Sequence, residues 1–129
     1  LRTGAPQQAL ARCQRALALH ERVEGAGAMD TARDEGCMAE AHLLLGEPDK
    51  ALPLVERARA RLGTSSLEGL DTAWYTFVLA RTLRALNPPD RDRAAAMAEE
   101  ARSRFKALGL LARPELEEVV AWQRREGLR

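Results

Sequence analysis

Asp-Thr-Ala-Arg at residues 30–33 returns as Asp-Thr-Ala-Trp at residues 71–74, and each copy is followed by two alanines seven residues apart, Ala51/Ala58 and Ala94/Ala101. A partial copy upstream, Ala9/Ala16, makes the alanine pairs recur 42 and then 43 residues apart. Periods of that length belong to helical repeats, in which each unit buries its apolar side against the next. The chain reads as a repeat protein, an architecture suited to binding rather than catalysis.

Composition agrees with this. A chain of 129 residues can form one domain and bury roughly two-thirds of the surface its unfolded form exposes. Aromatics make up 4% of it, and its many alanines favour close-packed helices over strands, because alanine enters a helix at the lowest cost. Twenty Lys+Arg stand against nineteen Asp+Glu, and the signs interleave at helical spacing in ERARARLG and AEEARSRFKALG. Such a surface compensates itself and lacks the gathered basic face that counterion release on nucleic acid requires. Cys13 and Cys37 do not form a disulfide framework and no signal segment opens the chain, so a reduced, cytoplasmic protein is expected. Apolar runs such as HLLLG are too short to cross a bilayer. The stretch opens on Leu1 in mid-pattern, as expected of an excerpt from a longer protein.

Apolar spacing predicts six helices. The first follows Pro6 and runs from Gln7 to Val23, ended by Gly25 and Gly27; the second is capped by Asp30 and reaches Gly46. The short Gly46-Glu47-Pro48-Asp49 loop forces an antiparallel return into a third helix, Lys50 to Leu62. Its start is placed near Asp49, so that Pro53 falls close to the first turn. A fourth helix starts at Ser66, within the capping box Ser65–Glu68, or at Asp71, and extends to Asn87. Pro88-Pro89 and DRDR form the next turn. A fifth helix runs from about Arg91 to Leu108, and Pro114 opens a sixth whose early glutamates and late arginines suit its dipole. The expected architecture is all-α, antiparallel helix-turn-helix repeats stacked as an α-solenoid. It forms a single domain over 1–129: a partial repeat at 6–24, repeats at 30–63 and 66–109, and a closing helix at 113–126.

The alanine positions, Leu45-Gly46 before the turn and the length of the helical hairpin resemble the tetratricopeptide repeat, from Ala9 to about Gln123. The period is closer to the longer repeats of the kinesin-light-chain type. His42 stands where a tyrosine is common in that family, and Glu35 where an aromatic is common. The pieces FVLARTLRAL, AMAEEARSRFKALG and EEVVAWQRR are also similar to the tetratricopeptide arrays that follow the catalytic domain in some bacterial serine/threonine protein kinases. That resemblance implies a noncatalytic docking or regulatory region of a larger bacterial signalling protein. No Gly-rich loop, VAIK-like lysine, HRD or DFG motif is in the sequence.

In the family the first helix of each pair lines a concave groove. Alignment places Arg33, Glu40 and Leu43 of the second helix on that face. It adds Trp74, Phe77, Arg81 and Arg84 from the fourth helix, and Glu118, Trp122 and Arg125 from the sixth. With Leu79, Ala80, Leu83 and Leu86 supplying the core contact of the fourth helix, Trp74 and Phe77 are surplus and available to a partner. The competing reading packs them against a neighbouring helix, and Trp122 over the end of the core. Aromatics and arginines dominate binding energy, and Arg81 with Arg84 suits an acidic peptide or a phosphate; the plainer alternative pairs those arginines with Glu40 or Glu118.

No catalytic or metal-binding constellation accompanies this face. Cys13 and His20 share a helical face, but Cys37 and His42 lie about 140° apart around theirs and fit no zinc spacing. Ser65, Ser66 and Ser103 have no partners at a recognisable interval, and Glu99-Glu100 point in different directions. No cofactor is expected. The reading is an interaction module for a protein or peptide, with neither nucleic acid nor membrane as partner. An effector-sensing regulatory domain and a self-associating module are the alternatives.

Overall fold

The computed structural model describes residues 5–23, 29–63 and 69–128. Among these are six α-helices: α1 (Ala5–Val23), α2 (Met29–Leu44), α3 (Pro48–Leu62), α4 (Gly69–Ala85), α5 (Arg91–Leu108) and α6 (Arg113–Glu126). A 3-10 turn, Gly109–Ala112, precedes α6. The chain falls into two compact units, Leu1–Gly63 and Thr64–Arg129. Each is built of antiparallel neighbours.

Helix ends follow local chemistry. α2 stops at Leu44, two residues before the expected Gly46, because Gly46 takes a left-handed φ of 77°. This lets the Glu47 and Gly46 amides donate back to the His42 and Leu43 carbonyls at 2.8 and 3.0 Å. Paired bonds of this pattern close a helix and reverse the chain. α3 starts at Pro48, earlier than predicted, and continues through Pro53. Pro48 needs no amide bond in the first turn, and the one bond Pro53 forgoes belongs to Asp49, an exposed residue at the start of the helix. α4 starts at Gly69, ahead of Asp71, and stops at Ala85 rather than Asn87, ahead of Pro88 and Pro89, which have no amide hydrogen to continue it. The Ser65–Glu68 capping box lies outside the described residues. α5 starts as expected at Arg91, capped by an Asp90 carboxylate that accepts from the Arg93 amide at 3.2 Å.

In the first unit α2 is held on both sides. Cys13 of α1 is joined to Cys37 of α2 by a disulfide, with the two Cα atoms 6.1 Å apart. This corrects the expectation of two separate reduced thiols. The antiparallel α1 and α2 bring the two residues to the same height on facing sides, which their spacing in sequence does not reveal. A disulfide belongs to oxidising surroundings, so it weighs against a cytoplasmic setting. On the other side, the buried Glu35 carboxylate takes Arg57 at 2.8 Å and Arg61 at 2.7 Å from α3. Ala39, Ala51 and Ala58 are fully buried, the small residues that let helix backbones approach.

The second unit has an aromatic core. Phe77 meets Trp122 of α6 edge-on, ring centroids 5.6 Å apart, and meets Trp74 in the same manner at 5.7 Å. Ala73 and Ala80 of α4, Ala98, Ala101 and Phe105 of α5, and Val119 of α6 complete the cluster. The buried hydroxyls of Thr76 and Thr82 donate to the carbonyls four residues back, Thr72 and Val78, at 2.7 and 2.8 Å. Fully buried Gln123 donates to Glu99 of α5 at 3.2 Å.

Three outcomes are expected. Replacing Arg57 and Arg61 together by alanine leaves a buried carboxylate unpaired and costs about 3 kcal/mol in denaturant unfolding, whereas Glu35→Met, which removes the charge and keeps the volume, costs far less. Trp122→Ala opens a void beside Phe77 and costs about 3–5 kcal/mol. The Glu47 carboxyl at the α2–α3 turn is held below the usual carboxylate range by its hydrogen bond to His42 and then by Lys50. A depressed folded-state pKa gives stability that is present above the unfolded value and lost as pH falls through the folded one. Glu47→Gln should therefore flatten the acid limb of a stability-against-pH curve, and an unchanged limb would contradict this.

Candidate functional site

The chemistry-bearing side chains of the second unit gather where α4 and α6 lie side by side. Residue pairs rise together along the two helices: Trp74 shares a cleft with Glu118, Phe77 packs on Trp122, and Arg84 pairs with Glu126 at 3.2 Å. The two helices therefore run parallel. This is the relation expected of successive first helices in a repeat, and it places Trp74, Arg81, Arg84 and Glu118 along one side of the unit.

Two of the residues assigned to a groove lie elsewhere. Phe77 is 1% exposed and Trp122 9% exposed, so both are core. The reason is geometric: Ala73, Phe77 and Ala80 form the stripe of α4 that belongs to the cluster with α5 and α6, and the space that alanines leave is filled by the rings. Leu79 and Leu83 are buried as well; α4 buries ten of its 17 residues, so reserving one apolar face for the core and another for a partner misjudges this helix. Trp74 is half-buried, with its indole against the core and one side on the cleft.

The arginines are engaged within the unit. The Arg81 guanidinium lies 5.4 Å from the centre of the Phe77 ring, an arrangement stabilising by about 0.5–1 kcal/mol at accessible sites. Arg84 pairs with Glu126 of the same unit rather than with Glu118. Both keep partial exposure. The cleft between the start of α4 and the start of α6 has a volume of about 310 Å³ and is lined by Leu70, Asp71, Trp74, Glu115 and Glu118. Asp71 and Glu115 escaped the sequence reading as site residues. The signal was there: each is an acidic residue in the first turn of its helix, a placement that favours the dipole, and parallel helices bring the two together.

In the first unit Arg33 is exposed and lies 3.4 Å from Asp30, while Glu40 and Leu43 are half-buried on α2. Arg125 on α6 is exposed. The histidines have carboxylate partners: His20 meets Asp34 across α1 and α2, and His42 meets Glu47 at 2.9 Å. No group of three or more metal-ligating side chains occurs among the described residues, and none of their helices is long and apolar enough to cross a membrane.

Comparison with known proteins bears on the first unit. No curated protein and no solved structure matches the chain. Residues 1–63 match the family model of the tetratricopeptide repeat, a family whose members generally act as noncatalytic protein–protein interaction modules.

Proposed function

We propose that the chain is a noncatalytic protein-binding module that takes a peptide or an extended segment of a partner protein. The match of residues 1–63 to the tetratricopeptide repeat carries this reading. In the second unit the contact face is the side on which α4 and α6 align, with Trp74, Arg81, Arg84 and Glu118 as its reading residues. A rigid indole standing on a packed core offers contact area with little ordering cost, and arginines already oriented by a ring and a carboxylate lose little freedom on engaging a ligand. The exposed Arg33 and the half-buried Glu40 and Leu43 are the corresponding candidates on α2. The cleft beside Trp74 is open to solvent, which suits a macromolecular partner. The likeness of FVLARTLRAL and AMAEEARSRFKALG to repeat arrays of bacterial kinases supports placing the module in a larger signalling protein.

A random-peptide display library panned on the immobilised chain tests this. Enriched peptides should lose about tenfold or more in affinity for the Arg81→Ala/Arg84→Ala double variant, with its helical circular dichroism unchanged. Undiminished affinity would remove this face from the reading, and failure of any peptide to enrich would count against peptide recognition itself.

A further inference from the structure

The outward side of α6 carries a second surface, distinct from the face shared with α4. Arg113, Leu116, Glu117, Val120, Ala121 and Arg124 line a shallow cleft of about 380 Å³. At about 100° per residue, Val120, Arg113, Arg124 and Glu117 fall in one narrow stripe along the helix, flanked by Leu116 on one side and Ala121 on the other. Immediately ahead of it, the 3-10 turn presents Leu110 at 84% and Leu111 at 93% exposure, the most exposed large apolar side chains among the described residues. Within the stripe Leu116 and Val120 are half-buried between charged residues, and Ala121 is exposed beside them.

The order of charges along this stripe selects its occupant. Glu117 lies on one side of the apolar centre formed by Val120 and Ala121, and Arg124 lies at the matching distance on the other side. A second α6 laid antiparallel, with the twofold axis between residues 120 and 121, brings each Glu117 opposite the Arg124 of the other copy. The same operation sets the small Ala121 against Val120, so two helices can approach closely at the centre. A twofold interface must be self-complementary in this manner, residue for residue, and a parallel pairing would instead set like charges against each other. Arg113 already lies 3.2 Å from Glu117 within the helix; with both side chains largely exposed that contact contributes little, and the carboxylate can accept a second arginine. We propose that the chain forms a homodimer through an antiparallel α6–α6 contact, with Val120 and Ala121 at the twofold axis and Glu117–Arg124 pairs on either side.

Sedimentation velocity of the full chain from low micromolar to high micromolar concentration tests this, together with Glu117→Arg, Arg124→Glu and the double reversal. By symmetry each single reversal converts two attractions into repulsions and should weaken dimerisation by at least about tenfold, while the double reversal should restore it. Ala121→Glu, at an exposed position, sets carboxylates beside the axis and should also abolish the dimer, which keeps the test decisive if a reversal variant loses helicity. A chain that stays monomeric throughout overturns the proposal. So does a dimer indifferent to the single reversals and to Ala121→Glu, or one that the double reversal fails to restore.

Discussion

Alanine at the helix contacts is the constraint on which both units depend. Ala39, Ala51, Ala58, Ala73, Ala80, Ala94, Ala98 and Ala101 are all fully buried. A methyl group at such a position lets neighbouring backbones approach closely, at the lowest conformational cost of any side chain. It also supplies little apolar area. A core built on alanine must therefore draw its burial from a few large side chains set between the small ones, and the protein has few to draw on. Phe77, Phe105 and Trp122 do this in the second unit. In the first, the buried large position at Glu35 is polar and has to be neutralised by Arg57 and Arg61, while a disulfide ties α1 to α2.

That constraint explains which parts of the structure were legible in the sequence. The repeat period located the helices, and α5 came out with the predicted limits because Asp90, Gly109 and the alanine spacing all agree there. Boundaries shifted where proline was involved, at Pro48, Pro53 and Pro88, since the cost of a proline depends on its place in the helix: small in the first turn, large in the interior. The reading failed for Phe77 for a different reason. A helix wheel for α4 shows more apolar circumference than one contact needs, and assigning the excess to a partner ignored how little volume its alanines fill. Burial on several sides of a helix gives no periodic signal that separates core from binding face.

The cysteines were misread through the same limitation. Pairing depends on where two antiparallel helices bring their faces together, and a separation of 24 residues does not encode that height. By contrast, the departures of Glu35 and His42 from the large residues common in the tetratricopeptide repeat, which residues 1–63 match, were visible, and the structure supplies their physical meaning. Glu35 becomes a buried carboxylate shared by two arginines. His42 holds the Glu47 carboxylate of the turn. Each replaces an apolar contact by a directional one. The energetic return is uncertain in sign for a buried ion pair, but the register between α2 and α3 is fixed more narrowly, because a slip of one residue would separate Glu35 from both guanidinium groups.

Directional pairing also separates the surfaces of the second unit by what they can recognise. On the side shared by α4 and α6, the arginines are already oriented internally, Arg84 by Glu126 and Arg81 by the Phe77 ring. A ligand there meets arginines that are already oriented, beside a Trp74 surface that needs no rearrangement. On the outward side of α6, Glu117 and Arg113 are paired through the exposed arms of one helix, and Leu110 and Leu111 are largely exposed. The gain on covering an exposed leucine is set by the area removed from water and requires no competing bond to be broken. The second unit thus presents one face whose arginines are pre-oriented, which would suit the proposed selection among ligands, and another whose apolar groups would gain simply by being covered.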